Sequence, residues 1–309
     1  MTVSERKGSP GQAASPHLAE RDIRGLLFTA DMYAVQLDQL AVLLAATDGQ
    51  ARAVVARWRR QGYAASGRLG TGPPWIWLTR SGLAAAGLRY TAAPPALARL
   101  AHLRAVTAVR LALEATSGYR QGGAFWRGER RLRGRAGAGG RVGLREHVPD
   151  GEVHWPDGGP DTGPHLPWAG ECWAIEAELT RKTVTRTTAI MREMLARTGD
   201  YGCPAADVAV PGRPPRHARA LYVCSPAARP TVTRARGALG AGAARIEIRD
   251  LPVLAWGDDP PIPPAKLAWG DDPPIPPAKL AWGDDPPTPP AKLAWGDDPP
   301  ITPRRGAAP

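Results

Sequence analysis

The stretch Trp173 to Lys182, WAIEAELTRK, constrains the fold more tightly than any other part of the chain. Apolar and acidic residues alternate along it, which is the period of a strand rather than of a helix. A strand here puts Ile175, Ala177 and Leu179 on one face and Glu176 and Glu178 on the other, so two carboxylates point the same way. Lys182 follows directly, and it is the only lysine between Gly8 and Val253, a span that otherwise uses arginine. Lysine can lose its proton and arginine cannot, so an isolated lysine beside two acids invites a chemical reading. The plain alternative is a polar strand face running into a solvated helix start.

The carboxyl-terminal end limits how much chain can fold. The unit LAWGDDPPIPPAK starts at Leu254, Leu267 and Leu280, with a partial copy from Leu293. Each proline removes a backbone donor and fixes φ, so this repeat builds neither a helix nor a ladder. Residues 253–309 are expected to be a disordered, PPII-like tail. Its Trp256, Trp269, Trp282 and Trp295 would suit a multivalent tail-binding protein partner, whereas copies that differ only where Ile262 and Ile275 become Thr288 are also what recent duplication produces. Residues 1–17 read as a disordered leader. The remainder has room for about two domains.

Charge is divided unevenly between these parts. Residues 254–309 hold eight Asp against three Lys and two Arg, a net of −3, and the whole chain is +11, so the part before the tail carries +14. Such a basic body favours a polyanionic partner, with nucleic acid ahead of a membrane. No apolar run approaches the length of a membrane span and the start lacks the apolar core of a signal peptide, so the expected location is the cytoplasm. Cys172, Cys203 and Cys224 are an odd number without CxxC spacing, which supports neither a disulfide framework nor a zinc finger.

Three helices are predicted after the leader. Ile23, Leu26, Leu27 and Tyr33 mark the first, Leu37, Leu40, Ala41 and Leu44 the second, and Ala51, Val54, Val55 and Trp58 the third. The third helix carries Arg52, Arg57, Arg59 and Arg60 on its other face and stops at Gly62. Two short strands follow around a Gly- and Pro-rich loop that contains Arg68, and Thr79 to Gly82 open a further short helix. Three helices and a hairpin resemble the winged-helix regulators, over residues 18–90. The resemblance implies that the third helix enters a groove of double-stranded DNA while the hairpin loop reaches the backbone, with Arg52, Arg57, Arg59, Arg60 and Arg68 as the DNA contacts. The same fold also serves as a dimerisation or docking module.

A break at Thr91 to Pro95 leads into a leucine-rich connecting helix, residues 91–118, which would join two domains or pair two copies in a homodimer. Phe125 to Arg135 reads as a turn into a brief basic helix containing Glu129. The glycine-rich run 135–141 lacks both phosphate-loop patterns. Val142 to Val148 reads as a strand that ends near Asp150, and a loop over 156–170 returns to the acidic stretch. Asp150, Glu176 and Glu178 then converge, and paired carboxylates on adjacent strands suit a hard divalent cation such as Mg2+ or Mn2+. His147 and His154 flank Asp150 and are weaker candidates for a ligand or a base.

Pro149-Asp150, a loop, then Glu176-x-Glu178 after an apolar strand start resembles the PD-(D/E)xK nuclease superfamily. The likeness implies a restriction-endonuclease-like mixed sheet flanked by helices over residues 119–252, so the fold class expected for the whole chain is α/β with an amino-terminal, mostly helical module. It implies Asp150 and Glu176 as metal ligands, with Glu178, Lys182 and Glu129 completing a catalytic set. Glu178 stands where that superfamily usually has lysine. Together with the winged helix, the stretches His147 to Asp150 and Glu176 to Lys182 resemble the replication-relaxation family of actinobacterial and plasmid-borne proteins over about residues 18–252. That resemblance implies a DNA-binding protein of plasmid or mobile-element replication with metal-dependent endonuclease chemistry. The alternative is a transcriptional regulator whose inactive nuclease-like domain dimerises or binds DNA.

Overall fold

Helix α1 (Glu20–Asp31) turns Asp22, Gly25, Leu26 and Thr29 inward, a spacing of three and four residues that makes one helical face. The Asp22 carboxylate accepts a hydrogen bond from the Trp58 indole at 2.8 Å, and Gly25 lets that ring come close to the helix, since a Cβ there would be 2.6 Å from it. This pairing rotates the helix away from the predicted face: Leu26 is buried, but Ile23 and Leu27 remain 41% and 37% exposed, and Phe28 takes their place in the core. Strand β1 (Val35–Gln36), not foreseen in the sequence, leads into α2 (Leu37–Leu43) and α3 (Asp48–Arg60). Thr47 and Gln50 form a reciprocal capping box at the start of α3. Strands β2 (Ala64–Gly67) and β3 (Trp75–Leu78) make the expected hairpin, and β1 adds to β3, giving an antiparallel sheet in the order β1-β3-β2. Thr79 caps α4 (Arg80–Ala85) by accepting from the Gly82 amide.

The computed structural model describes residues 18–116, 119–120, 123–138, 147–155, 170–198 and 215–251. The leader, the repeat tail, Cys203 and residues 142–146 of the expected strand lie outside them. No described helix is long and apolar enough to cross a membrane.

Helix α5 (Leu100–Ala115) is buried along most of its length. Its Arg104 is held by Gln36 and by Asp38 at 2.7 Å, and Arg110 lies between Asp31 and Glu114, each at 2.7 Å. One apolar cluster runs from Leu26, Leu40 and Trp58 through Val109 to Ile175 and Leu221, so the amino-terminal helices and the large sheet share a core across α5.

That sheet has five strands in sequence order: β4 (Phe125–Gly128), β5 (Gly151–His154), β6 (Cys172–Glu178), β7 (Arg219–Cys224) and β8 (Ile246–Asp250). The first three strands pair antiparallel and the last three parallel. Helix α6 (Glu129–Ala138) follows β4, α7 (Val184–Ala196) crosses from β6 to β7, and α8 (Arg229–Gly237) from β7 to β8. The last two helices cover the face opposite α5 with Met191, Met194 and Val232 against Ala174, Tyr222 and Ile246. The chain is therefore mixed α/β.

One expectation is corrected: Phe125 to Gly128 is an edge strand rather than a turn. A strand, β5, also follows Asp150 directly. Residues His147 to Pro149 carry no ladder, and proline has no amide to donate to one. Pairing starts at Gly151, where the Trp126 ring crosses and leaves no room for a side chain: a Cβ there would lie 2.1 Å from it. Gly151→Ala is accordingly expected to lower stability by roughly 1–3 kcal/mol, the usual cost of overpacking. A denaturant midpoint equal to that of the unsubstituted protein would show that Trp126 moves aside freely.

Candidate functional site

The alternation of β6 is as predicted. Ile175 and Ala177 join the core on the α5 side, whereas Glu176 and Glu178 face the other side and are both buried. Their register partners on β7 are Tyr222 and Cys224. Asp150 sits just before β5, where Gly151 opposes Ile175, so it meets β6 at the level of Glu176. Its Oδ2 accepts the Ala177 amide at 2.8 Å, which closes the end of the β5–β6 ladder. Strand pairing thus brings Asp150 level with Glu176, with Glu178 two residues further along β6.

Each acid meets a basic side chain from a different place in the chain. His102 on α5 lies 2.7 Å from Asp150 Oδ1, and His147 lies 2.7 Å from Glu176 Oε1. Lys182 reaches back to Glu178 Oε1 at 2.6 Å. The His147 backbone is fixed in turn by its amide donating to Glu193 of α7 at 2.9 Å. Burial alone would lower the proton affinity of both histidines, but the facing carboxylates outweigh it and raise both. Glu176 is also raised: burial is the main cause, His147 opposes it, and the neighbouring Asp150 and Glu178 add to it.

Glu129 is brought close in a different way. Its amide donates to the Asp150 carbonyl at 3.1 Å, and both residues line a cavity of about 10 Å³ with Arg99 and His102. Its carboxylate, however, is taken by Arg99 at 2.6 Å and Arg133 at 2.7 Å. Tyr222 carried no functional signal, since RALYVC reads only as a buried strand. Its hydroxyl is buried, has no hydrogen-bond partner among the described residues, and lies under the field of Glu176, Glu178 and Asp150. Burial, then those carboxylates, push the phenol well above its usual range, so it stays a donor.

Asp150, Glu176 and Glu178 offer oxygens only, the donor type a hard cation takes, and the second oxygens of Glu176 and Glu178 are not used by the ion pairs described. Their donor atoms are not among those that stand within 4.8 Å of one another as a group of three, which among the described residues are those of Glu152, Cys172 and His217. Asp150 engages both oxygens, so a ligand there must share Oδ1 with His102. His154, the other weak candidate, does not join this group. It lies 2.9 Å from Glu152 in a separate cluster, where Glu152, Cys172 and His217 hold one donor atom each within 4.8 Å of one another.

On the amino-terminal module, Arg52, Arg59, Arg60 and Arg68 are exposed. Arg52 and Arg59 are two turns apart on α3 and share a face. Arg57 differs, because its guanidinium pairs with the buried Asp22 carboxylate and braces α3 against α1.

Burial of Glu176, with like charges beside it, has a sign that can be measured. A glutamate whose folded proton affinity is raised contributes stability below its ordinary pKa of about 4.3, and loses it as pH rises through the higher folded value. Glu176→Gln removes that cost and keeps an acceptor for His147. With chelator present at neutral pH it should melt higher than the unsubstituted protein by about 2–4 °C, corresponding to about 1 kcal/mol for a domain of this size. The gain should vanish at mildly acidic pH, and a lower melting temperature at neutral pH would contradict it.

Compared with protein-family models, with curated proteins and with solved structures, the chain matches none.

Proposed function

We propose that this is a DNA-binding protein of plasmid or mobile-element replication control, with an amino-terminal winged helix and a PD-(D/E)xK-like domain that hydrolyses phosphodiesters with Mg2+ or Mn2+. The observation that carries the reading is the gathering of Asp150, Glu176 and Glu178, with Lys182 at 2.6 Å from Glu178, beside a buried tyrosine hydroxyl that lacks a partner among the described residues. The mixed sheet supports it, since β4, β5 and β6 run antiparallel before a helix crosses to the parallel β7.

In this reading Asp150 and Glu176 would hold the ion, as the resemblance to the superfamily implies. A bound divalent cation polarises a phosphate and lowers the pKa of an attacking water. Glu178 and Lys182 together take the place of the motif lysine, the ammonium cancelling the charge of the carboxylate and orienting it. Tyr222 donates into the site, and His147 positions Glu176. The exposed arginines of α3 and the hairpin neutralise DNA phosphates. Double-stranded DNA is the partner, and a homodimer would present two such modules to paired half-sites.

One observation favours a second reading, a transcriptional regulator with a silent nuclease-like domain. Each acid already faces a basic group of the chain, His102, His147 or Lys182, so the buried charge is compensated without an ion.

Cleavage of supercoiled plasmid separates the two. The enzyme reading expects nicking only with added Mg2+ or Mn2+, its loss in Asp150→Ala and Glu176→Ala, and slowing of about 100-fold or more in Lys182→Ala. DNA affinity should persist in all three. No cleavage with either metal while DNA is still bound would establish the silent reading, and equal cleavage by Asp150→Ala would expose a contaminant. Replacing Arg59, Arg60 and Arg68 by Ala should weaken binding and flatten its salt dependence, the log–log slope falling by about 0.9 for each phosphate no longer neutralised. An unchanged slope would place the DNA elsewhere.

A further inference from the structure

At the far end of β6 from the acidic site, four chemically active side chains meet around Glu152. Glu152 is on β5 and fully buried, Cys172 opens β6, and His217, also fully buried, lies just before β7. His154 completes the group from the end of β5, its Nε2 lying 2.9 Å from Glu152 Oε2 and 3.7 Å from Cys172 Sγ. We propose that Glu152, Cys172 and His217 form a transition-metal site, selective for Zn2+, that fastens β5, β6 and the approach to β7 together.

Geometry is the first support. The donor atoms of the three residues lie within 4.8 Å of one another, while ligands about 2.0–2.3 Å from a common zinc stand roughly 3.3–4.5 Å apart. Seating an ion takes small side-chain shifts that open the 2.8 Å His217–Glu152 and 2.9 Å His154–Glu152 contacts by about half an ångström or more and draw in the widest pair. His154 is near enough to supply a fourth ligand, and its ring is oriented by stacking on Phe125 with centroids 4.9 Å apart.

The second support is the set of partners around the His217 ring. His217 Nδ1 faces the Met194 carbonyl at 3.2 Å, and a carbonyl only accepts, so Nδ1 carries a proton. A singly protonated ring then directs the Nε2 lone pair at Glu152 Oε1, 2.8 Å away, which is also an acceptor. Two acceptors this close need a cation between them or a second proton on the ring. Nδ1–H on a backbone carbonyl with Nε2 aimed at anionic ligands is the outer-shell arrangement that orients metal-binding histidines.

The mixture of donors selects the ion. A thiolate, an imidazole and a carboxylate suit Zn2+, whereas Mg2+ prefers oxygen alone. Without a metal, burial and then the neighbouring Glu152 push the Cys172 thiol up, so it stays protonated; binding the ion sends that proton to solvent and leaves the thiolate on the metal. Arg216 contacts the same carboxylate, with Nε 2.6 Å from Oε1 and Nη2 2.9 Å from Oε2. In the metal-bound form it acts as the outer support of Glu152. A metal-free network built around Arg216 is the competing outcome.

Full-length protein purified without chelator should contain zinc in near-equal amount to the chain. Cys172→Ser and His217→Asn should lose it, with affinity falling at least about tenfold in each, whereas Asp150→Ala and Glu176→Ala should keep it. Replacing zinc with Co2+ should give the intense thiolate-to-cobalt charge-transfer band, present in Cys224→Ala and absent in Cys172→Ser. That band is read on the unsubstituted protein, so the proposal stands or falls even if a variant misfolds. A protein that retains no zinc after equilibration with it, a cobalt form without the thiolate band, or zinc that leaves with Asp150 rather than with Cys172 overturns the site. Loss of plasmid cleavage bears only on the carboxylate site.

Discussion

Strand β6 is hydrogen-bonded on both edges and covered on both faces, so whatever its sequence places from Ala174 to Glu178 is buried. Its even-numbered positions 176 and 178 are glutamates. Burying a carboxylate without a partner costs several kcal/mol, and two of them beside Asp150 repel one another as well. The fold meets that demand with His102 from α5, His147 from the segment before β5 and Lys182 from the turn after β6. The rest of the region follows from this compensation. The ladder stops at Gly151 so that Asp150 can turn to the Ala177 amide, and Glu193 of α7 holds the backbone of His147 so that its ring meets Glu176.

Helix α5 connects this site to the amino-terminal module. Arg104 and Arg110 on it bind Asp38 and Asp31, one from each of the first two helices, while His102, two residues before Arg104, reaches Asp150. Breaking a buried pair by removing one partner costs about 3–5 kcal/mol, so these contacts fix the helix firmly. A single rigid element therefore sets both the seat of the arginine-bearing module and the position of one site carboxylate.

Much of this was legible because period reports burial. The two-residue alternation of Trp173 to Glu178 gave the strand, its faces and its acids, and the helical spacing at Ala51 to Trp58 gave α3 with its arginines outward. Where the pattern misled, a pairwise contact had overruled it. Ile23 and Leu27 looked like core, but Trp58 required Asp22 and Gly25 on the inner face of α1. Strands β1 and β4 were missed because two to four residues carry too little pattern to separate an edge strand from a turn. His102, Tyr222 and His217 left no trace, since each acts across a separation that local spacing does not encode: 48 residues from His102 to Asp150 and 65 from His217 to Glu152. The cysteine count, read for pairs, could not show Cys172 meeting two histidines from either side of it in the chain.

The same alternation places Cys172, Glu176 and Glu178 on one face of β6, with Cys172 and Glu176 about 13 Å apart at the usual strand rise. One strand thus borders two kinds of donor: its own carboxylates at the carboxyl end, and at the amino end its Cys172 sulfur beside Glu152 of β5 and His217 from before β7. Hard cations keep their water unless oxygens replace it, and soft ligands hold ions such as zinc far more firmly. On the proposed readings, the separation would keep an oxygen-liganded ion at one end apart from a thiolate-liganded ion, or from Arg216, at the other. Each end also joins parts of the fold that pairing alone leaves loose. Asp150 closes the open ladder between β5 and β6, and Glu152 ties β5 to the segment entering β7. Acids that would otherwise burden the interior of a sheet are in this way the groups that hold its two ends in register.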